Sequence, residues 1–116
     1  MIFTKFEPQQ GSPGGADYRN ARLTYRINVP KRMEYPAINF SVETSAGKLF
    51  ERVSRLPRGS AYVEPGDETE HTVALDPAPR DDWADAYAKT DRAMFNWSIE
   101  GESSGGIEKP LKKAWP

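Results

Sequence analysis

Cysteine is absent from this chain, and histidine occurs only once, at His71. No disulfide framework, cysteine nucleophile or thiolate metal site can therefore be built from it. One histidine gives no second imidazole for zinc, and a serine triad would need it held by a placed acid. At the start of an alternating run, on the parity of Val73 and Leu75, His71 reads as a half-exposed strand-end residue. Long apolar runs are also missing, so neither a signal peptide at MIFTKFEPQQ nor membrane insertion is expected, and a cytoplasmic location is the default. Basic excess is absent too: 16 Lys and Arg stand against 17 Asp and Glu, for a net charge of −1. Phosphate neutralisation dominates nucleic-acid affinity, so nucleic acid is not an expected partner. The glycines lack a following Gly-Lys-Ser/Thr and cradle no nucleotide. No cofactor is expected.

What the sequence does contain is alternation. Residues 22–29 read RLTYRINV, placing Leu23, Tyr25, Ile27 and Val29 on one side and Arg22, Thr24, Arg26 and Asn28 on the other. Residues 37–43 repeat the pattern with Ile38, Phe40 and Val42, residues 71–75 with Val73 and Leu75, and residues 94–100 with Phe95, Trp97 and Ile99. A strand points successive side chains to opposite faces, so period-two patterning marks sheets with one face buried. Nine glycines and ten prolines among 116 residues fit many turns and short strands better than long helices. The expected fold is therefore all-β: a single domain forming an antiparallel two-sheet β-sandwich, immunoglobulin-like or jelly-roll-like. Phe40, Phe95, Trp97 and Tyr25 are expected to carry much of the core.

Several connections are legible. Residues 1–6 read as a first strand with Ile2 and Phe6 on one side and Phe3 on the other, followed by a Gly-rich loop in residues 1–20. SAGK at 45–48 reads as a tight turn with Gly47 at positive φ. Residues 48–53 form the returning hairpin arm, although adjacent Leu49 and Phe50 spoil its alternation. Pro65 and Gly66 mark a second turn. DPAPR at 76–80 is expected to stop the sheet, because proline donates nothing to a ladder. DDWADAYAK at 81–89 is the one credible helix, capped by Asp81 or Asp82, with Trp83 and Tyr87 one turn apart. Residues 102–116 read as a polar tail, either disordered or a strap ending in Trp115.

Among polar clusters, Asp76, Asp81, Asp82 and Asp85 offer oxygens but not a calcium-loop spacing, and no metal site is assigned. A carboxylate pair for glycoside hydrolysis is not singled out. Arg52, Arg55 and Arg58, with Lys48 upstream, form the only basic concentration in mid-chain and would suit an acidic partner, a phosphate or an anionic sugar. The simpler reading is a solvated hairpin arm whose charges discourage edge-to-edge pairing. Tyr35 and Tyr62 lie outside the core parity and are candidate contact aromatics.

The order LTYRINV, YPAINFSVET, SAGKLFE and EPGDETEHTVAL resembles immunoglobulin-like modules, including the C-terminal carbohydrate-binding domains of O-antigen ABC-transporter ATPases. The resemblance spans about half the chain and implies a β-sandwich with a carbohydrate-binding role. It carries over no ligand residues, and it departs at residues 76–91, where a double-proline loop and helix replace a short turn. The sequence thus points to a non-enzymatic binding protein, acting as a regulatory, inhibitory or adaptor module on a protein partner. Candidate contacts are Tyr35, Arg52, Arg55, Arg58 and Tyr62. A carbohydrate-binding module with a polysaccharide ligand is one alternative, and a virion or appendage subunit is another. Assembly as a homo-oligomer stays open.

Overall fold

The computed structural model describes residues 1–10, 18–28, 31–34, 37–55, 62–66, 69–100, 103–113 and 115, with backbone alone at 8–10, 18–19, 34, 55, 62–63 and 84. The fold is mostly antiparallel β. It comprises β1 (Ile2–Gln10), β2 (Tyr18–Arg26), β3 (Met33–Glu34), β4 (Ala37–Thr44), β5 (Gly47–Arg55), β6 (Tyr62–Val63), β7 (Glu70–Pro77), α1 (Trp83–Ala88), β8 (Arg92–Ile99) and β9 (Ser104–Pro110). Seven strands form one sheet in the order β1-β2-β7-β5-β4-β8-β9, and β3 pairs with β6 alone. Among the described residues no helix is long and apolar enough to cross a membrane.

The sheet curls because its middle junction is short. β5 and β7 share only Phe50↔Pro77 and Glu51↔Asp76, whereas β2 and β7 pair from Ala21↔Leu75 to Arg26↔Glu70. Beyond that junction the limb β1-β2-β7 folds over the limb β5-β4-β8-β9. Aromatic rings fill the space between them: Phe3 lies 6.4 Å from Phe40, Phe6 lies 5.0 Å from Phe95, and Tyr25 lies 4.9 Å from Phe40. Tilted and edge-on pairs at these separations add attraction beyond the area they bury. Tyr25, Phe40 and Phe95 are buried as their parity predicts, while Trp97 stays half-buried near the β9 edge.

Two β-bulges place the large apolar residues where strict alternation would not. In β1 the register passes from Phe3↔Tyr25 to Lys5↔Thr24, leaving Thr4 as the extra residue, its hydroxyl donating to the Thr24 carbonyl at 3.2 Å. The bulge resets the parity, so Phe3 and Phe6 both face the core and Ile2 is left 54% exposed. This corrects the expected grouping of Ile2 with Phe6. In β5 the register passes from Val42↔Phe50 to Glu43↔Lys48, and the extra residue is Leu49. The bulge lets adjacent Leu49 and Phe50 both become fully buried.

The turns follow their chemistry: Gly47 and Gly66 have φ of +116° and +83°, a region that a side chain disfavours. The sheet does not stop at Asp76, as DPAPR suggested. Pro77 is the last residue of β7, where no further donor is needed, and the Ala78 N–H turns instead to the Leu49 carbonyl at 2.8 Å. Helix α1 packs by its aromatics. Trp83 stacks on Tyr87 at 5.2 Å, meets Phe50 edge-on, and donates its indole N–H to the Leu49 carbonyl at 2.7 Å. Asp82 occupies the N-cap position but makes no side-chain cap, because its carboxylate is turned to Arg80.

The segment expected as a polar tail supplies β9 and a strap. All of β9 pairs with β8, Leu111 is buried, and Trp115 stacks 6.1 Å from Phe6 and meets Phe95 edge-on at 5.0 Å. Through these ring contacts Trp115 bridges β1 of one limb and β8 of the other.

Candidate functional site

The polar residues that alternate with the core of β4, β5 and β8 converge on the outer face of one limb. Register partners line up in rows across the strands. Val53, Asn39, Ser98 and Ser104 form the first row; Asp76, Glu51, Ser41, Asn96 and Gly106 the second; Lys48, Glu43, Met94 and Glu108 the third. The β4, β5, β7 and β8 members of the first two rows, with Lys48, Arg52, Phe40, Pro77 and Trp97, line a shallow groove of about 780 Å³. Hydroxyls, amides and charged groups share it with apolar residues, and two apolar side chains stand in water on the same face: Val53 at 66% exposure and Met94 at 41%.

The charges on this face are already matched. Lys48 pairs with Glu51 at 2.9 Å, which raises the ammonium's affinity for its proton. The Asn96 amide donates to the Glu43 carboxylate at 2.8 Å, and Arg92 pairs with Glu108 at 2.6 Å. Arg52 sits in the fork where β5 leaves β7. Its guanidinium donates to the Ala74 carbonyl at 3.2 Å and lies 3.9 Å from the Asp76 carboxylate. It thereby supplies a donor to a β7 carbonyl just past the last ladder pair, Glu51↔Asp76. Lys48 and Arg52 therefore have intramolecular partners, and the mid-chain basic concentration presents no pair of free cations at these two positions.

The other candidate contacts divide by position. Arg55 lies on β5 opposite Ala37, and Tyr62 lies on β6 opposite Glu34; their side chains are outside the described residues. Tyr35 and Arg58 lie wholly outside them. Among the described side chains of the five, Arg52 lines the groove. Sequence reasoning passed over Asn39, Ser41, Val53, Asn96 and Ser98 as site residues, although their parity opposite the core was the available signal. Val53 was harder to find, because an apolar residue at a strand end reads as core.

The remaining titratable candidates have structural partners. His71 is half-buried, with its ring 5.6 Å from Tyr25. Asp82 receives both Arg80 donors at 2.7 and 3.0 Å, which holds its carboxyl below its ordinary value. Asp85 pairs with Lys89 at 2.9 Å, raising the lysine above its ordinary value. Among the described residues no three His, Asp or Glu side chains group as metal ligands. Comparison with family models, with curated proteins and with solved structures finds no match to this chain.

Proposed function

We propose that this chain is a non-enzymatic binding module with an immunoglobulin-like sandwich arrangement, its two limbs acting as the two sheets. The outer face of β5-β4-β8-β9 is the contact surface for a protein partner. One observation carries the reading: Val53 and Met94 stand exposed on a strand face whose charges are already paired within the chain. Protein contact surfaces combine apolar anchors with a polar surround, and pre-paired charges add specificity with little need for a charged ligand. The carbohydrate alternative is less well supported. A sugar site wants a planar ring beside its hydrogen-bonding groups, and the two rings that line the groove, Phe40 and Trp97, take the core parity, buried and half-buried, rather than standing out on this face.

Hydroxyl-radical footprinting in the presence of a partner recovered from source-cell extract tests the assignment. Protection at Val53 and Met94, with Ile2 on the far limb unchanged, is the expected result. A tryptophan fluorescence response to neutral oligosaccharides, with no protein retained, would replace this reading with the carbohydrate one.

A further inference from the structure

The outer edge of β9 carries a second interaction surface that the groove does not use. The N–H of Ile99 donates to the Ser103 carbonyl at 2.7 Å, and the N–H of Leu111 donates to the Asp91 carbonyl at 2.8 Å. These bonds bracket the β8–β9 ladder, whose partners run from Ser98↔Ser104 to Arg92↔Pro110. Hydrogen-bonded pairs alternate in an antiparallel ladder, so Gly105, Ile107 and Lys109 turn their backbone groups to β8. Ser104, Gly106 and Glu108 turn theirs outward, and among the described residues β9 has no further neighbour in the sheet.

Edge strands normally carry a device against pairing, such as a mid-strand lysine or proline, a bulge or a covering loop. In β9 the register is unbroken, and lysine and proline appear only at Lys109 and Pro110, at its end. Residues 104–108 are exposed, and Ile107 keeps 48% of its surface in water.

We infer that β9 pairs antiparallel with β9 of a second copy of this chain, about a two-fold axis at Gly106. The occupant follows from self-complementarity. That axis sets Gly106 opposite Gly106, Ser104 opposite Glu108, and Ile107 opposite Gly105. Every outward N–H of one copy then meets an outward carbonyl of the other. Glu108 meets a serine, so no like charges are opposed. Ile107 and Gly105 form a non-hydrogen-bonded pair, in which side chains approach most closely. The Trp97 indole lies across Gly105, with its Cζ2 atom 2.9 Å from where a β-carbon would stand. The bare glycine thus exposes an indole surface at the edge, and Ile107 of the second copy covers it. The same contact recurs on the other side of the axis, as an isologous interface requires. The product is one sheet continuing through both copies, with the two grooves side by side.

Sedimentation equilibrium on the full chain, together with register-specific cross-linking, tests this. A dimer with Kd of about 10–100 µM is expected, in keeping with an interface at the small end of the size range. Ile107→Lys places a charge at an already exposed position and should weaken the dimer about tenfold or more, with thermal stability unchanged. Because the chain has no cysteine, the double variant Ser104→Cys with Glu108→Cys should form a covalent dimer on mild oxidation. Within one chain those positions lie about 13 Å apart along the strand, too far for a disulfide. Across the axis they are opposite, whereas each single variant faces its own copy at that same long distance and should remain uncross-linked. The inference is overturned by a monomer at all concentrations to about 1 mM, about tenfold above the weak end of that Kd range. It is equally overturned by a dimer indifferent to Ile107→Lys, or by single variants that cross-link as well as the double one. Should Ile107→Lys fail to fold, the cross-linking pattern decides alone.

Discussion

Tyr25 is 2% exposed between Phe40 and His71, and burial pushes its phenol up to about 12. An unfolded tyrosine ionises near 10, so between roughly pH 10 and 12 the unfolded chain releases a proton that the folded chain keeps. The contribution is complete below pH 10 and lost as pH rises through that window, by an amount on the order of 3 kcal/mol. Denaturant midpoints at about pH 9 and 11.5 should fall further for the wild type than for Tyr25→Phe, which has no phenol to ionise. Equal falls would remove Tyr25 from the account. Trp83 makes a second residue-scale prediction. Trp83→Phe keeps a ring against Phe50 and Tyr87 but leaves the Leu49 carbonyl without its indole donor. The loss should be about 0.5–1.5 kcal/mol in urea unfolding, the net worth of one hydrogen bond, because the Ala78 N–H still satisfies that carbonyl. A loss below the error of the fit would mean that water replaces the donor.

Elements differ in how plainly the sequence announces them. β4, β7 and β8 alternate because each has one face in the core and one in water. The bulges left a visible trace as well: Leu49 beside Phe50 in β5, and Phe3 three residues from Phe6 in β1. An adjacent apolar pair breaks alternation, and a bulge is one way a strand buries both. β9 was not legible. SGGIEKP has no apolar face because an edge strand whose sides are both in water needs none, and its order comes from its ladder with β8. Its strap is legible only through Trp115. Trp115→Ala removes the stack on Phe6, the edge contact with Phe95 and the ammonium of Lys109 lying 4.7 Å over the ring. It should cost roughly 2–4 kcal/mol, near the lower end for a large-to-small aromatic change because the indole is only half-buried. Hydrogen exchange in dilute solution adds an element-scale check on β9. Amides of Gly105, Ile107 and Lys109 should be protected, and those of Ser104, Gly106 and Glu108 should exchange freely and gain protection as concentration rises. Uniform protection in dilute solution would mean that the edge is covered within one chain.

For the whole molecule, the decisive feature is non-local. Local patterning separated core from water along each strand, but strand neighbours are set by contacts distant in sequence. β7 lies between β2 and β5, so the sheet joins segments some fifty residues apart, and the short β5–β7 junction lets its limbs face each other. The same junction explains Arg52, a charge that reads as a free contact in sequence and fills a fork in space. The outer face of β5-β4-β8-β9 exists only once those neighbours are set, which is why its rows of polar groups and its exposed Val53 were not recognised together. Its proposed role is most directly tested by quantitative retention from source-cell extract on three immobilised proteins. These are the wild type, Val53→Arg on the groove face, and Thr72→Arg on the exposed face of the other limb. A protein held by the wild type and by Thr72→Arg, but reduced about tenfold or more by Val53→Arg, is the predicted result, as expected for loss of an apolar anchor. Equal retention on all three surfaces, or loss with Thr72→Arg alone, would contradict it.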